Sequence, residues 1–362
     1  MGAPLTGEEA RYIKEKVEWA AGKLSAAHKE VSKVIYGQNE LIDMFFADMA
    51  AGGNLLAEGV PGVGKTLLVS TLAKVAGLGF QRIQFTPDLM PPDIIGTEIL
   101  EDDAEGKKHL NFKKGPMFTQ FLMADEINRT GPRTQAALLQ AMQEKKVTVN
   151  GQTYYMQNPY LVMATQNPLE QDGTYPLPEA QLDRFLIKLN FDYPDEAAER
   201  RVTTETTTTT TSNVRDLFER SAKNEDLTNP ENYRRTEQQS VVNTVLGRND
   251  LIAIQELTRR LPLPEKVVDA IQQIVRGARP GQPGVDPFIT DNVKWGPGPR
   301  AAQAFALMAK ARAVMRGDLV PNVDDVKALV QPVLEHRMEL EFHARANKID
   351  FKQVAAKLTL GL

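Results

Sequence analysis

The chain has 362 residues, of which 42% are hydrophobic and 25% are charged, and these proportions are typical of a soluble globular protein. Its length is about twice that of an ordinary domain of ~150 residues, which predicts two domains or one elaborated domain. The formal net charge of −4 gives no strong signal for binding nucleic acid. Because there is no cysteine, disulfides, thiolate nucleophiles and cysteine-ligated metals are excluded.

The N-terminal part of the chain carries a helical pattern and no signal for a membrane. Residues 1–9 lack the apolar core of a signal peptide, and no apolar run in the chain approaches the ~18–20 residues that span a bilayer. We therefore expect no membrane span and a cytoplasmic location. Residues 1–33 are predicted to form a helical extension with one apolar face, made of Tyr12, Val17, Ala20, Leu24 and Ala27.

Short apolar runs alternate with helical stretches between residues 54 and 191. Five runs of this kind, separated by helices, predict an α/β fold in which a parallel sheet is covered on both faces. The predicted strands lie at residues 55–57, 82–85, 121–124, 160–164 and 185–189.

Two segments interrupt this alternation. Residues 86–116 contain a proline pair at 91 and 92 and the charged stretch 101–108. Residues 146–155 place Asn150-Gly151 between two β-prone runs, a pattern that favours a tight hairpin.

The second half of the chain begins without clear periodicity and then becomes helical. Residues 201–249 include the threonine run 206–211, which is typical of a linker or an insertion. Further on, a helix is predicted after Pro264, another from Pro299 to a stop at Gly317, and a third capped by Asn322. This pattern indicates a small all-helical second domain.

The strongest chemical motif is a glycine-rich loop that fits G-x-x-x-x-G-K-[ST] between a predicted strand and a predicted helix. Backbone N–H groups of such a loop converge on phosphate oxygens, at the positive end of the following helix. The lysine adds charge against the β- and γ-phosphates, and the threonine hydroxyl can ligate Mg²⁺. The loop consists of Gly59, Val60, Pro61, Gly62, Val63, Gly64, Lys65 and Thr66, and Leu67 follows it.

Two further strand ends carry polar groups suited to phosphoryl transfer. The run 121–124 leads into Asp125 and Glu126, and the run 160–164 leads through two residues to Asn167. In parallel sheets, ligands bind at the carboxyl ends of strands. Asp125 is predicted to hold Mg²⁺, and Glu126 to polarise a water for attack on the γ-phosphate. The amide of Asn167 can orient that water, or it can serve the turn before Pro168.

Two arginines are candidates for stabilising charge on transferring phosphoryl oxygens. Arg184 precedes a predicted strand, and Arg300 begins a helix of the second domain. Either residue can also be an ordinary surface arginine. The histidines show no metal-ligand spacing; they are His28, His109, His336 and His343.

The order of these motifs resembles the AAA+ ATPases and, among them, the MoxR family. The resemblance runs in order from about residue 34 to 195 and resumes from about 250 to 340. It is carried by residues 34–38 (VIYGQ), 59–66, 92–97 (PDIIGT), 115–118 (GPMF), 124–129 (ADEINR), 135–144 (QAALLQAMQE), 164–168 (ATQNP), 177–185 (LPEAQLDRF) and 298–301 (GPRA).

The resemblance implies roles for particular residues. The loop 59–66 corresponds to the Walker A motif of the family, Asp125-Glu126 corresponds to Walker B, and Asn167 corresponds to the first sensor. Arg184 resembles the arginine finger that acts on ATP in the neighbouring subunit, and Arg300 the second sensor, which reaches from the lid to the γ-phosphate. Val34, Ile35 and Gly37 are implied to border the adenine. The task of Arg129, which also matches the family, stays open.

The predicted architecture is a P-loop AAA+ core with a five-stranded parallel sheet, followed by a small all-helical lid. The predicted divisions are the helical extension 1–33, the core 34–195, the linker or insertion 196–249, the lid 250–345 and the tail 346–362. The segments 86–116 and 146–157 resemble the two inserts of this group of AAA+ proteins.

The resemblance implies a homo-hexamer or a related ring that hydrolyses ATP with Mg²⁺. It also implies chaperone-like remodelling or maturation of a partner that carries a von Willebrand factor A domain. Three alternatives stay open: the motor subunit of a chelatase-like complex, a small-molecule kinase that shares the phosphate loop, and a scaffold that binds ATP without turning it over.

Overall fold

The computed structural model describes residues 7–102, 108–168, 173–207, 218–219, 221–223 and 242–362. Within them, the predicted parallel sheet is present. Its strands are β1 (Leu55–Gly59), β2 (Phe80–Gln84), β5 (Phe121–Asp125), β8 (Leu161–Gln166) and β9 (Ile187–Phe191). The order in space is β2-β5-β8-β1-β9, and every neighbouring pair is parallel. The carboxyl ends of β1, β8 and β5 therefore lie side by side.

Apolar residues on both faces bury the central strands of the sheet, whereas most of the edge strand β2 is exposed or half-buried. The five residues of β5 are all buried, as are the first five of β8. Strands buried on both faces read as continuous apolar runs, which is why they can be recognised in the sequence. The core helices are α2 (Asn39–Ala51), α3 (Lys65–Val75), α4 (Pro91–Ile95), α5 (Pro132–Glu144), α6 (Glu179–Leu182) and α7 (Glu196–Thr207).

The two segments that interrupt the alternation form hairpins. Strands β3 (Gly96–Asp102) and β4 (Lys108–Lys114) pair antiparallel in the first segment, and residues 103–107 lie outside the described part. Strands β6 (Lys146–Val149) and β7 (Gln152–Tyr155) form the second, as predicted. Its turn residues Asn150 and Gly151 both have positive φ, 48° and 83°, which is the backbone that an Asn-Gly turn favours.

The lid is mainly helical, which confirms the prediction, with one addition. Its helices are α8 (Arg248–Arg260), α9 (Glu265–Gly277), α10 (Pro287–Asn292), α11 (Pro299–Arg316), α12 (Val323–Ala328), α13 (Val330–Leu334), α14 (Phe342–Ala346) and α15 (Phe351–Thr359). A 3-10 turn spans Glu335–Arg337, and the short strands β10 (Val293–Trp295) and β11 (Glu339–Leu340) pair antiparallel. Both predicted helix signals hold: Gly317 ends α11 at φ 84°, and the Asn322 side chain accepts from the Asp325 N–H at the start of α12.

The predicted helical extension is present as α1 (Gly7–Val31), which packs against α2, α3, α8 and α11. Four of its five predicted core residues are buried. Tyr12 was expected among them and is instead 61% exposed. It lies in the N-terminal part of α1, before the buried stripe of that helix begins at Val17.

The predicted linker is described only in part. It opens with α7, and most of the threonine run, residues 208–211, lies outside the described residues. The next described residues, from Val242, pack against α3: Val242 is buried, and the N–H groups of Val245 and Leu246 donate to the carbonyl oxygen of Val75. The boundaries between extension, core, linker, lid and tail stay predictions.

A buried cation joins the core to the lid. The Lys188 ammonium in β9 lies 2.6 Å from Glu58 Oε2 in β1 and 3.2 Å from Glu335 Oε1 in the lid. Burial alone would lower the pKa of Lys188, but the carboxylates of Glu335 and Glu58 outweigh burial and raise it. Lys188 is therefore held as a cation between the two domains.

Candidate active site

The phosphate loop has the backbone that its sequence predicts. It leaves β1 at Gly59 and enters α3 at Lys65. Gly62 and Gly64 have φ values of 83° and 82°, a region that residues with a side chain rarely adopt. The loop therefore lies against the N-terminus of α3, where unpaired N–H groups and the helix dipole favour an anion.

A cavity of about 400 Å³ opens beside this loop. It collects side chains from the carboxyl ends of β1, β2, β5 and β8, as the strand order requires. Its lining residues are Pro61, Gly62, Gly64, Lys65, Thr66, Leu67, Arg82, Gln84, Asp125, Glu126, Thr165 and Asn167. The structure thus brings the phosphate loop together with the two predicted acidic residues and the predicted asparagine. Val60 and Val63 of the loop instead pack towards the apolar core.

Lys65 is the first residue of α3, and its Nζ donates to the carbonyl oxygen of Gly59 at 2.6 Å. Burial lowers the pKa of the Lys65 ammonium, while the carboxylates of Asp125, Glu126 and Glu58 oppose that change. The side chain is therefore held next to the loop that it would serve.

Asp125 ends β5 and is 9% exposed. Its Oδ1 accepts a hydrogen bond from Thr165 Oγ1 at 2.5 Å, and its Oδ2 accepts one from Arg82 Nε at 3.0 Å. The same threonine hydroxyl accepts from the N–H of Glu126 at 2.8 Å. Thr165 therefore fixes the two acidic residues relative to β8.

Glu126 follows in the left-handed region, with φ 56°. Its Oε2 accepts from Gln84 Nε2 at 2.7 Å and lies 3.1 Å from Arg129 Nη1. Gln84 Oε1 in turn accepts from Arg82 Nη2 at 2.6 Å. A chain of polar contacts therefore runs from Asp125 through Arg82 and Gln84 to Glu126 and Arg129.

Three of these residues were missed by the reasoning from sequence: Arg82, Gln84 and Thr165. The run 82–85 predicts a strand, and no function was predicted for its side chains. Polar residues at alternate positions of that run, Arg82 and Gln84, were the available signal, because alternation puts them on one side of the sheet. Thr165 carried no such signal, since it ends an otherwise apolar run.

The donor set of this cavity fits a nucleotide with Mg²⁺. A hydroxyl, Thr66, and a carboxylate, Asp125, supply the oxygen ligands that Mg²⁺ prefers. In the described part of the chain no group of three His, Cys, Asp or Glu side chains is placed to hold a metal ion. Mg²⁺ is commonly held by one or two protein groups together with phosphate oxygens, as Thr66 and Asp125 would hold it here.

The two candidate arginines lie elsewhere, in a second cavity of about 280 Å³ that shares no lining residue with the first. Arg184 Nη1 donates to the carbonyl oxygen of Leu139 in α5 at 3.0 Å. Arg300 Nη1 lies 3.6 Å from Asp183 Oδ2. The structure therefore brings Arg300 to Arg184 and not to the phosphate loop of its own chain.

Of the three residues expected near the adenine, two are buried and one lines a cavity. Val34 and Ile35 are buried in the apolar core, 6% and 7% exposed. Gly37 lines a third cavity, of about 750 Å³, whose walls include lid residues such as Gln331. A Cβ on Gly37 would lie 2.4 Å from the Cβ of Ala198, so α7 closely covers this position.

The described helices give no membrane signal, because none of them is long and apolar enough to cross a bilayer.

Two family models match the chain. The model described as the ATPase family associated with various cellular activities (AAA) matches residues 54–187, which include the phosphate loop, Glu126 and Asn167. The model of the AAA lid domain matches residues 289–358, which include Arg300.

Similar proteins extend over nearly the whole chain. The chaperone MoxR1 of Mycobacterium tuberculosis is 38% identical over 327 residues, which are 90% of this chain and 78% of that protein. The protein MoxR of Methylorubrum extorquens is 29% identical over 323 residues, 86% of each chain. The crystal structure of a candidate ATPase from Cytophaga hutchinsonii has a TM-score of 0.81 at 34% identity and covers 98% of this chain and 99% of its own.

The fold and the phosphate loop, together with these matches, define an AAA+ ATPase core with an AAA lid. Within that class, the chain belongs to the MoxR family.

Proposed function

We propose that this protein hydrolyses ATP to ADP and phosphate with Mg²⁺. The observation that carries the proposal is the meeting of the phosphate loop, Asp125, Glu126 and Asn167 in one cavity. Phosphoryl transfer to water needs little more than phosphate binding, a positioned water and stabilisation of charge, and these groups supply all three.

The residues divide the work as their positions suggest. The backbone N–H groups of the loop 59–66, in which Pro61 has none, and the Lys65 ammonium bind the β- and γ-phosphates. Thr66 and Asp125 would hold Mg²⁺, which would stabilise the charge of the phosphate oxygens. Glu126 accepts a proton from the attacking water, and Asn167 orients that water. Gln84 and Arg129 both contact Oε2 of Glu126, so the carboxylate can accept the proton of the water on its other oxygen, Oε1, while both contacts are kept.

We infer further that the protein acts as a ring, a homo-hexamer or a related closed assembly. Arg184 and Arg300 share a cavity separate from the phosphate loop of their own chain, which supports the proposal that each acts on the γ-phosphate of a neighbour. Head-to-tail contacts that repeat in this way close into rings. The γ-phosphate that the second sensor Arg300 reaches from the lid is then also that of a neighbour.

The work of the ring is proposed to be chaperone-like remodelling or maturation of a partner protein in the cytoplasm. One similar protein is named a chaperone, which supports this proposal. The expectation that the partner carries a von Willebrand factor A domain rests on the family resemblance.

Release of phosphate from ATP tests the enzymatic part of this proposal. The purified protein is incubated with ATP and Mg²⁺, without any added acceptor, and inorganic phosphate is measured. We expect continuous release that stops in Lys65→Ala, whose loop has lost its phosphate-binding charge. A small-molecule kinase would release no phosphate without its acceptor, and a scaffold would bind ATP without turnover, so either result would contradict hydrolysis.

A further inference from the structure

The short segment that carries Arg184, residues 183–186, is bound by Arg337, a buried residue of the lid. Arg337 lies in the 3-10 turn of the lid and is 3% exposed. Its Nε donates to Asp183 Oδ1 at 2.8 Å, and its Nη1 donates to the carbonyl oxygens of Leu186 at 3.1 Å and Val333 at 2.6 Å. Its Nη2 donates to the carbonyl oxygen of Phe185 at 2.5 Å. One guanidinium thus binds three residues of the segment.

The neighbouring His336 adds a second contact to the same place. Its Nε2 lies 3.2 Å from the carbonyl oxygen of Phe185, and the ring is buried. Burial and the charge of Arg337 keep the pKa of His336 well below its ordinary value. A neutral ring with its proton on Nε2 donates to Phe185, so two consecutive lid residues bind one carbonyl.

Asp183 joins this buried support to the second candidate arginine. Its Oδ1 accepts from Arg337, and its Oδ2 lies 3.6 Å from Arg300 Nη1. Arg184, the next residue along the chain, points to α5 and donates to the Leu139 carbonyl. The carboxylate of Asp183 therefore contacts two arginines: the buried Arg337, which donates to it, and the half-exposed Arg300, with which it forms an ion pair.

The contacts of Arg337 explain why a charge is kept in this buried position. Burial lowers the pKa of Arg337, while Asp183 opposes that change. A buried guanidinium is tolerated only when its charge is paired and its N–H groups are bonded, and the planar fork of arginine fixes the direction of each bond. Lysine lacks this planar fork, because its ammonium presents three rotatable donors from a single nitrogen. Neither Arg337 nor Asp183 lines the cavity of the phosphate loop.

We propose that Arg337 and Asp183 are positioning residues for the two arginines: they fix residues 183–186 and Arg300 as one unit that is presented to the nucleotide of the neighbouring subunit. The inference rests on the proposed function in one respect, that Arg184 acts on a neighbour's site. A misplacement of about 1 Å in a group that meets the transition state can cost ~10²-fold in rate, so this support should matter for kcat.

The first test compares turnover with binding. Asp183→Asn keeps the shape of the side chain and removes its charge, and Arg337→Lys keeps the charge and removes the fork. We expect kcat to fall at least ~10-fold in both variants, while the affinity for a fluorescent ATP analogue changes less than ~2-fold. The matched control is Arg345→Ala, which removes an exposed lid arginine that pairs with Glu339 and should leave both quantities unchanged.

The deciding test mixes subunits. Each of Asp183→Asn and Arg184→Ala is mixed with Lys65→Ala, and mixed rings are confirmed by differential tags. The Lys65→Ala subunit has an inactive site but presents an intact 183–186 segment, so activity should return in both mixtures. If only the Arg184→Ala mixture recovers, Asp183 serves its own subunit and the positioning role is wrong. If neither mixture recovers, the trans role of Arg184 in the proposed function fails.

A loss of folding is distinguished from a loss of positioning. Thermal unfolding and nucleotide binding are measured for every variant, and Asp183→Asn carries the test if Arg337→Lys does not fold. Normal kcat in a folded Asp183→Asn protein would overturn the inference.

Discussion

At the scale of single residues, the described part of the chain holds a buried carboxyl group that does not belong to the nucleotide site. Asp48 in α2 is 5% exposed, and its Oδ1 has no hydrogen-bond partner among the described residues. Burial raises the pKa of Asp48 to about 8. In an unfolded chain the same group loses its proton near pH 4, at a pKa of ~3.9. The folded protein therefore keeps a proton that the unfolded chain releases.

This difference fixes the sign of a pH effect on stability. Between about pH 4 and pH 8 the folded state binds more protons than the unfolded state, so stability falls as the pH rises through this window. Asp48→Asn keeps the shape without a titrating group. We expect it to raise the melting temperature at pH 8 by about 2–5 °C and by clearly less at pH 5, because most of the window lies above that pH.

The measurement is calorimetry of Asp48→Asn across this range of pH. The control is Glu40→Gln, an exposed carboxyl on the same helix, which should leave the pH dependence as it is in the parent protein. A lower melting temperature of Asp48→Asn at pH 8, with an unchanged slope against pH, would contradict the buried-proton account.

At the scale of elements, the phosphate loop depends on a backbone that only glycine adopts without strain. Gly64 has φ 82°, and no neighbouring atom lies within 4 Å of an added Cβ, so Gly64→Ala tests the backbone alone. Alanine in the left-handed region costs roughly 1–2 kcal/mol. In Gly64→Ala we expect the free loop to relax from this backbone, so that ATP binding must restore it. ATP affinity should then fall about 10-fold, since 1.4 kcal/mol is a factor of ten at 25 °C.

The matched control is Gly22→Ala, which should raise the stability of the protein instead of lowering its affinity for ATP. Gly22 lies in the middle of α1, also without an atom near an added Cβ, and its φ is not positive. Gly22→Ala should stabilise the protein by about 0.5–1 kcal/mol and leave ATP affinity unchanged. Nucleotide titration and thermal unfolding give both quantities. Unchanged affinity in Gly64→Ala would show that the loop does not need its observed backbone to bind nucleotide.

The elements also show how much of the fold could be predicted from sequence. The sheet was predictable because strands buried on both faces leave continuous apolar runs, and the β6–β7 hairpin because Asn150-Gly151 favours its turn. The contact between the two hairpins was not predictable. It depends on the Phe112 and Tyr154 rings, whose centroids lie 4.3 Å apart, and on a hydrogen bond from Asn150 to Glu98. Residues so distant in sequence leave no local pattern.

In the candidate site, too, local motifs were predictable from sequence and tertiary contacts were not. The loop 59–66 and the acids after β5 were predictable, because each is a local motif at the end of a strand. The pairing of Arg82 with Asp125 arises from the parallel neighbours β2 and β5, and the pairing of Arg337 with Asp183 from the docking of the lid. Both are consequences of tertiary structure. For the same reason the sequence could not place Arg300 beside Arg184.

At the scale of the whole molecule, the proposed trans arginines require an assembly. We expect ATP to convert the protein into a hexamer or a related closed ring, because a nucleotide between subunits gives Arg184 and Arg300 a γ-phosphate to bind. Light scattering coupled to size exclusion, with and without ATP, measures this change. Lys65→Ala on its own, which should not bind ATP, is the control and should stay unassembled, whereas it should enter rings when it is mixed with subunits that bind ATP. A fully active monomer at every protein and nucleotide concentration would contradict the ring.

The central claim is that one cavity binds ATP through the phosphate loop and hydrolyses it through Glu126. Its most direct test is the comparison of Glu126→Gln with Lys65→Ala, with nucleotide binding and phosphate release measured on the same samples. Glutamine keeps the size of the side chain but accepts no proton, so Glu126→Gln should retain ATP affinity and lose turnover by at least ~100-fold. Lys65→Ala should lose both. Equal loss of ATP affinity in the two variants, or normal turnover in Glu126→Gln, would contradict the account.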